Sequence, residues 1–308
     1  MGLNSLQWIF FIYSCISMTL YSFLIFSIFK ERRSIPILRG SFFRLVIAHF
    51  IADLVLCLEF NILMRARKYG YLNSLFPDDG NALYIVPRIS NALHYYIKIV
   101  VYIGQVYFAL NRLTSAMFPL DYNGMWTRKR LRFLALIQWT IPLAAVLPVH
   151  LNMEYEIKYI KIDEADTLRL VTDTESTSII AYIDMGCSVT CTILSLCMYI
   201  GTMLIVRSGT TRLAAIELRL LLSAFIVFVV LTFNSLIQVL TVIANNVGLK
   251  EVLFINDLSY PMVDLIYTCQ PWALLIFSSV MRKSLLNTAR RHNHKPVPLS
   301  NPTEKDDC

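Results

Sequence analysis

Charge is scarce in this sequence. Of its 308 residues only 16% are charged, whereas 56% are hydrophobic, and the mean hydropathy is +0.56. Soluble domains carry roughly 25% charged and about 45–50% apolar residues. The apolar residues here also come in long blocks, which a soluble core does not require. This composition excludes a cytosolic enzyme, a secreted disulfide scaffold and a disordered chain.

Several motifs are missing as well. No His-Glu-x-x-His, Gly-x-Ser-x-Gly or Gly-rich phosphate loop occurs, and His49, His94 and His150 lack metal-ligand spacing. None of the seven cysteines lies in a predicted outer loop, so no extracellular disulfide is expected. The pair Cys187 and Cys191 is interpreted as small residues at a helix contact. We therefore predict that the protein is not an enzyme and that it has neither a cofactor nor a metal site.

Seven long apolar segments are what the sequence does contain. Each has roughly the 20 residues that a membrane-spanning helix needs, whereas barrel strands would be about 10 residues long and alternating. The first segment lacks the basic leader and cleavage site of a signal peptide, and we expect it to be retained. The segments are 6–29, 42–64, 89–119, 133–151, 178–206, 220–245 and 259–281. They predict an all-α membrane protein, a bundle of seven transmembrane helices.

The connecting segments predict the orientation of the bundle. The set 30–41, 119–132, 207–219 and 282–308 contains 17 Lys or Arg residues, and the opposite set contains 8. Because basic loops stay in the cytoplasm, we expect a cell-membrane protein with its N-terminus outside and its C-terminus inside. Arg65, Arg67 and Lys68 are discordant, since they fall on the outer side. The positive charge lies beside membrane spans, so the expected partner is the lipid bilayer and not nucleic acid.

The chain is expected to form one domain followed by a tail. Residues 1–294 would form the bundle and a short basic juxtamembrane helix, in which Met281, Leu285 and Leu286 share an apolar face. Residues 295–308 contain three prolines and are expected to be a disordered cytoplasmic tail.

Three stretches near the inner face resemble a known family. The third helix ends in Asn111-Arg112-Leu113-Thr114, the sixth begins with 214–221, and the seventh contains Gln270-Pro271-Trp272. Together they are similar to the nematode serpentine receptor class gamma family, with class V as the close alternative. The resemblance covers nearly the whole chain. It implies a seven-helix chemosensory receptor of rhodopsin-like architecture that binds an extracellular small molecule and activates a heterotrimeric G protein.

The same resemblance implies roles for three inner residues. Arg112 stands where rhodopsin-like receptors have the arginine of Asp-Arg-Tyr, and it would be a signalling switch that pairs with Glu217 at rest. The alternative is a positive anchor at the lipid headgroups. Asp53 would belong to an interior polar network, or to a simple packing hydrogen bond. The sequence departs from the rhodopsin-like pattern at Asn111, which replaces the acidic neighbour of the arginine.

A second set of charged residues lies in the outer half of the predicted bundle. Charged groups within a membrane are costly and usually face partners, so Lys98 is expected to pair with an acid. One interpretation is an open polar cavity that binds a small ligand, and the other is a structural ion pair that fixes helix register. The ionisable candidates are Glu59, His94, Lys98, Asp184 and Asp264. The candidate wall residues are Tyr95, Tyr102, Tyr267, Asn234 and Gln238.

A transporter or channel for a small solute is the alternative function. Transporters usually show duplicated halves and broken helices, and channels need a filter or pore helix. Neither feature is visible in the sequence.

Overall fold

The computed structural model describes residues 5–68, 82–162, 167–208, 212–247 and 252–293. They form a bundle of seven long helices, as the apolar segments predict. Six of the helices are long and apolar enough to span a membrane by themselves, and the last is continued past a 91° bend by a further helix. The helices are α1 Ser5–Glu31, α2 Ser41–Glu59, α3 Ala82–Met117, α4 Arg128–Leu151, α5 Thr174–Ser208, α6 Arg212–Val247, α7 Val252–Phe277 and α8 Ser279–Asn293. The protein is a multi-pass membrane protein.

Short helical pieces complete the two ends of the bundle. A 3-10 helix, Pro36–Arg39, connects α1 to α2, and one turn, Tyr122–Met125, connects α3 to α4. We call this end, where α1 finishes and α4 begins, the basic end. At the other end α2 continues as a π-helix, Phe60–Arg65, and then as Ala66–Lys68. No pattern in the sequence predicts the π-helix.

The structure contains a β-hairpin that the all-α prediction did not include. Strands β1 Ile157–Ile162 and β2 Thr167–Thr172 pair antiparallel in the loop between α4 and α5, and Ile157 lies opposite Thr172. Ile157 and Leu168 are buried, so one face of the hairpin packs on the bundle. We call this end of the molecule the hairpin end. No strand is expected here from the sequence, because two six-residue strands are too short to stand out within a connecting segment.

Asp173 joins the hairpin to α5. Its carboxylate accepts hydrogen bonds from the backbone N–H groups of Ser176, at 2.6 Å, and Glu156, at 2.7 Å. Burial alone would raise the pKa of Asp173, but these donors stabilise the charged form and hold its pKa below the usual value. The same carboxylate therefore caps the first turn of α5 and closes the strand pair.

α3 is the central helix of the bundle. It packs against α2, α4, α5 and α6, and residues 97–102 of α3 are almost entirely buried. Gly104 marks the closest approach, because a Cβ atom there would lie 2.1 Å from His49 Nδ1 and 2.8 Å from Gln138 Nε2. Only a residue without a side chain lets α2, α3 and α4 meet at this distance.

The end of the seventh span differs from the prediction. The sequence placed its last residue at Met281, but α7 ends at Phe277 and the chain turns at Ser278. Arg282 donates from Nη1 to the carbonyl oxygen of Leu275 at 3.0 Å, which satisfies a backbone group left open at the end of α7.

α8 forms where a short amphipathic helix is predicted, and hydroxyl side chains lie on the face that meets α1. Ser284 Oγ lies 2.7 Å from Ser27 Oγ, and Thr288 donates to the same Ser27 oxygen at 3.2 Å. Met281 is fully buried, whereas Leu286 is 57% exposed. Leu286 therefore does not share a face with Met281: Met281 and Leu285 pack into the apolar cluster that includes α1 residues, whereas Leu286 is exposed. The predicted tail, 295–308, lies outside the described residues.

Candidate functional site

The charged residues of the hairpin end form three buried pairs between different helices. Lys98 on α3 donates to Asp184 on α5 with an Nζ–Oδ2 distance of 2.5 Å. His94 Nδ1, also on α3, lies 2.9 Å from Glu59 Oε2 on α2. The prediction that Lys98 pairs with an acid is confirmed, and its partner is Asp184.

The pair of Lys98 and Asp184 extends to a third helix. The second carboxylate oxygen of Asp184 accepts a hydrogen bond from the Tyr102 hydroxyl at 3.2 Å. Asn234 on α6 donates to that hydroxyl at 2.9 Å, and its own Oδ1 is buried without a hydrogen bond among the described residues. Tyr95 lies over the Lys98 ammonium at 5.3 Å. This chain of polar groups links α3, α5 and α6 in the interior.

The third pair contains an arginine that sequence reasoning did not select. Arg65, in the π-helix at the end of α2, lies 2.5 Å from Asp264 on α7. Its other terminal nitrogen contacts Asn61, and its guanidinium lies over the Phe60 ring at 5.3 Å. Arg65 is only 5% exposed. Arg65, one of the three basic residues that are discordant in the loop count, is therefore part of an internal ion pair and is not a free loop charge.

A hydroxyl network surrounds the pair of Arg65 and Asp264. Tyr267 donates to Asp264, and the amide nitrogen of Asn61 lies 3.3 Å from the Tyr267 hydroxyl. Ser14 on α1 accepts from the same amide at 2.9 Å. Helices α1, α2 and α7 thus share one polar cluster. The π-helix winds with one extra residue per turn, a feature common at functional sites, and it is the element that carries both Asn61 and Arg65.

Arg67 also turns inward at this end. Its guanidinium lies 5.3 Å from the Tyr159 ring of β1 and donates to the Leu168 carbonyl of β2 at 3.5 Å. The hairpin is thereby fixed to the end of α2.

Nine of the ten residues predicted for the outer set take part in these contacts. The tenth, Gln238, is half-buried on α6, one turn after Asn234. In this structure every ionisable member of the set is paired across the helices: four of them pair with one another, and Asp264 pairs with Arg65. A ligand that entered here would have to replace one member of a pair.

Asp53 lies near the middle of the bundle and is fully buried. It accepts a hydrogen bond from the Tyr21 hydroxyl at 2.7 Å, and His49 Nε2 lies 3.6 Å from its other oxygen. His49 Nε2 is also 2.8 Å from Gln105 Nε2 on α3. The expected interior polar network is present, and it connects α1, α2 and α3.

Arg112 is buried at the basic end of α3 and lies over the Phe42 ring at 4.1 Å. It donates to the Asn111 side-chain oxygen at 2.8 Å, and Tyr122 donates to the same oxygen at 3.0 Å. Asn111 thus supplies the acceptor that an acidic neighbour would supply in the rhodopsin-like pattern. Glu217, the predicted partner, belongs to α6, but its side chain lies outside the described residues.

No metal centre emerges from the parts of the chain that the structure describes: no three His, Cys, Asp or Glu side chains come together as ligands there.

Comparison with known proteins identifies the family. Residues 10–291 match the family model described as the serpentine type 7TM GPCR chemoreceptor Srv. This chain belongs to the Srv family. The family consists of receptors and is not a class of enzymes, and it does not favour the transporter or channel alternative.

A curated relative agrees with that result. The serpentine receptor class V-1 of Caenorhabditis elegans is 27% identical over 126 residues, which cover 41% of this chain and 39% of that protein. The match therefore spans about two fifths of the relative's length. The predicted nematode serpentine receptor family is confirmed, and of the two classes named from the sequence it is class V that the comparisons match.

Proposed function

We propose that this Srv-family protein is a chemosensory receptor that binds a small extracellular molecule at the hairpin end and activates a heterotrimeric G protein at the basic end. It acts by helix rearrangement, without covalent chemistry. The N-terminus is outside the cell and the C-terminus is cytoplasmic. Residues 1–294 act as one unit, and 295–308 form a separate tail.

The observation that carries the proposal is the polar chain Lys98–Asp184–Tyr102–Asn234. It joins α3, α5 and α6 through three hydrogen bonds between buried side chains. A ligand changes a conformational equilibrium only if it binds one arrangement more tightly than the other. A charged or zwitterionic small molecule meets this condition here, because it can replace Lys98 or Asp184 as partner and release the helices from each other.

The second and third pairs extend the ligand site toward α2 and α7. Glu59 has one carboxylate oxygen that is buried without a hydrogen bond among the described residues, so it has acceptor capacity to offer an ammonium or hydroxyl group. Asp264 and Arg65 offer one charge of each sign beside Tyr267. His94 and the remaining candidate wall residues, Tyr95 and Gln238, are assigned to the same site.

Transmission to the basic end runs along α3. Arg112 follows Lys98 by 14 residues, which is about 21 Å of helix. A shift of α3 relative to its neighbouring helices would move Arg112 away from Phe42 on α2 and expose it to the G protein. In this proposal Arg112 and Glu217 form the resting contact, and Asp53 with His49 and Gln105 holds the middle of α3 against α2.

The test is a screen of small carboxylates, amines and amino acids on cells that express the receptor, with G-protein dissociation as readout. A compound that activates the wild type is then applied to Lys98→Met/Asp184→Leu, in which the pair is replaced by apolar residues. We expect this variant to lose the response, because the ligand has no charge to replace. Lys158→Gln, on the hairpin surface, is the control and should respond like wild type.

Arg112→Ala tests the other end of the proposal. It should bind the activating compound but fail to dissociate the G protein. A full response in Arg112→Ala would refute the switch assignment, and a full response in the double variant would refute the ligand site.

A further inference from the structure

A cavity of about 630 Å³ lies at the basic end of the bundle. Every charged residue among those described in its wall is an arginine. The arginines come from four separate places in the fold: the turn after α1, the 3-10 helix, the first turn of α2 and the first residue of α4. The wall consists of Phe29, Arg32, Arg33, Arg39, Arg44 and Arg128.

The local structure holds these arginines together. Arg39 donates from Nε to the Arg32 carbonyl at 2.8 Å and from Nη2 to the Arg33 carbonyl at 3.1 Å. These bonds fold the connection between α1 and α2 back on itself. The charges of Arg128 and Arg32 repel that of Arg44, and Arg44 Nε is buried without a hydrogen bond among the described residues. The arrangement concentrates positive charge and leaves a buried N–H donor without an acceptor. A bound anion would offset the charge and accept that hydrogen bond.

The chemistry of the wall selects phosphate. A guanidinium is planar and binds a phosphate through two parallel hydrogen bonds, so several guanidiniums around one cavity suit several phosphates. The volume is within the roughly 300–1,000 Å³ of small-molecule sites. General attraction to an anionic bilayer would be satisfied by arginines scattered over this face. It does not explain why five of them converge on one cavity.

We propose that this cavity binds a multiply phosphorylated anionic group, carried either by a membrane lipid or by a soluble molecule. Phe29, which is 54% exposed, gives the cavity an apolar edge at the end of α1. A bound lipid would therefore have its acyl chains beside Phe29 and the phosphates of its headgroup beside the arginines. The site is separate from the polar network at the hairpin end and does not depend on any ligand that binds there.

The experiment measures binding by the full-length receptor in nanodiscs. The discs contain phosphatidylcholine with a fluorescent phosphatidylinositol bisphosphate, or with phosphatidylserine at matched total charge. We expect the receptor to prefer the phosphoinositide. Arg128→Gln should weaken its binding about tenfold, since a charge-assisted hydrogen bond is lost, and Arg33→Gln/Arg128→Gln should weaken it further. Arg132→Gln is the matched control, because Arg132 is exposed one turn later on the same helix and lies outside the wall.

A second arm separates the two possible sources of phosphate. Inositol hexakisphosphate is titrated onto the receptor in detergent, and binding is followed by a change in thermal melting. If only the lipid binds, the source is the membrane, and if both bind, the cavity recognises phosphate groups from either side; both results support the site. Each variant must first melt at the wild-type temperature without added ligand, so that a lost interaction is not lost folding.

Three results would overturn the proposal. The first is equal enrichment of phosphatidylserine and phosphoinositide at matched charge, which would mean general surface attraction. The second is an equal effect of Arg132→Gln and Arg128→Gln, or no binding of either probe to wild type. The third is weaker G-protein binding by Arg128→Gln in lipid-free detergent with no change in phosphoinositide binding, which would make the cavity a protein contact.

Discussion

Removing one charge of the Lys98–Asp184 pair should destabilise the receptor strongly, because the remaining charge would be buried alone. Both side chains are at most 3% exposed, and the Nζ–Oδ2 distance is 2.5 Å. Breaking such a pair from one side costs about 3–5 kcal/mol, and a lone lysine in mid-membrane costs roughly 2.5–3.5 kcal/mol. We therefore expect Asp184→Asn to lose about 3 kcal/mol of stability.

Replacing both residues should cost much less. Lys98→Met/Asp184→Leu leaves no buried charge and fills a similar volume, so the loss should be about 1 kcal/mol, mostly from the unsatisfied Tyr102 hydroxyl. The assay is thermal melting of the purified receptor in detergent, with wild type, Lys98→Met, Asp184→Leu and the double variant compared as one cycle. The single variants should melt on the order of 10 °C lower than wild type. Purely additive effects in the double variant would refute the argument, since they would show that the two charges do not interact.

Three further predictions rest on particular contacts. Gly104→Ala should destabilise the receptor by about 1–3 kcal/mol in the same melting assay, because its Cβ would overlap His49, whereas Gly186→Ala, with open space around it, should be neutral or slightly stabilising. Asp173→Ala should lose about 1 kcal/mol, the usual value of a helix cap. Since the pKa of Asp173 is lowered in the fold, its contribution is fully present above about pH 4 and disappears as the pH falls through the lowered value. The melting difference between wild type and Asp173→Ala should therefore shrink in acid, and a pH-independent difference would contradict the capping role. Arg65→Met should lower the melting temperature as Asp184→Asn does, and unchanged melting would show that Asp264 tolerates the loss of its partner.

Much of the fold could be predicted from the sequence because span length and loop charge are properties of local stretches. Seven uncharged or nearly uncharged runs specify seven helices whatever their neighbours are. The presence of Lys98 within one run also predicts an acidic partner, since the alternative is an isolated charge in lipid. The choice of Asp184 over Glu59 or Asp264 could not be predicted, because it depends on how each helix is rotated about its axis.

The parts that sequence reasoning missed depend on tertiary contacts. From the sequence, Arg65 is predicted to be a charge in the loop after the second span. In the structure the π-helix turns its side chain toward Asp264. Leu286 is predicted to belong to an apolar face. In the structure the contact between Ser27 and Ser284 determines which side of α8 packs on α1, and Leu286 lies on another side. The basic cavity combines arginines that are up to 96 positions apart, and loop charge alone predicts only that they share one side of the membrane.

The orientation of the bundle is the claim on which both the extracellular ligand site and the cytoplasmic G-protein contact depend. Met153, 77% exposed beside the hairpin, and Leu120, 96% exposed at the basic end, mark the two sides. Met153→Cys and Leu120→Cys are expressed separately and treated on intact cells with a membrane-impermeant maleimide, with the parent receptor as background. Our account predicts that Met153→Cys is labelled on intact cells and that Leu120→Cys is labelled only after permeabilisation. The reverse pattern would place the arginine cavity outside the cell and contradict the account.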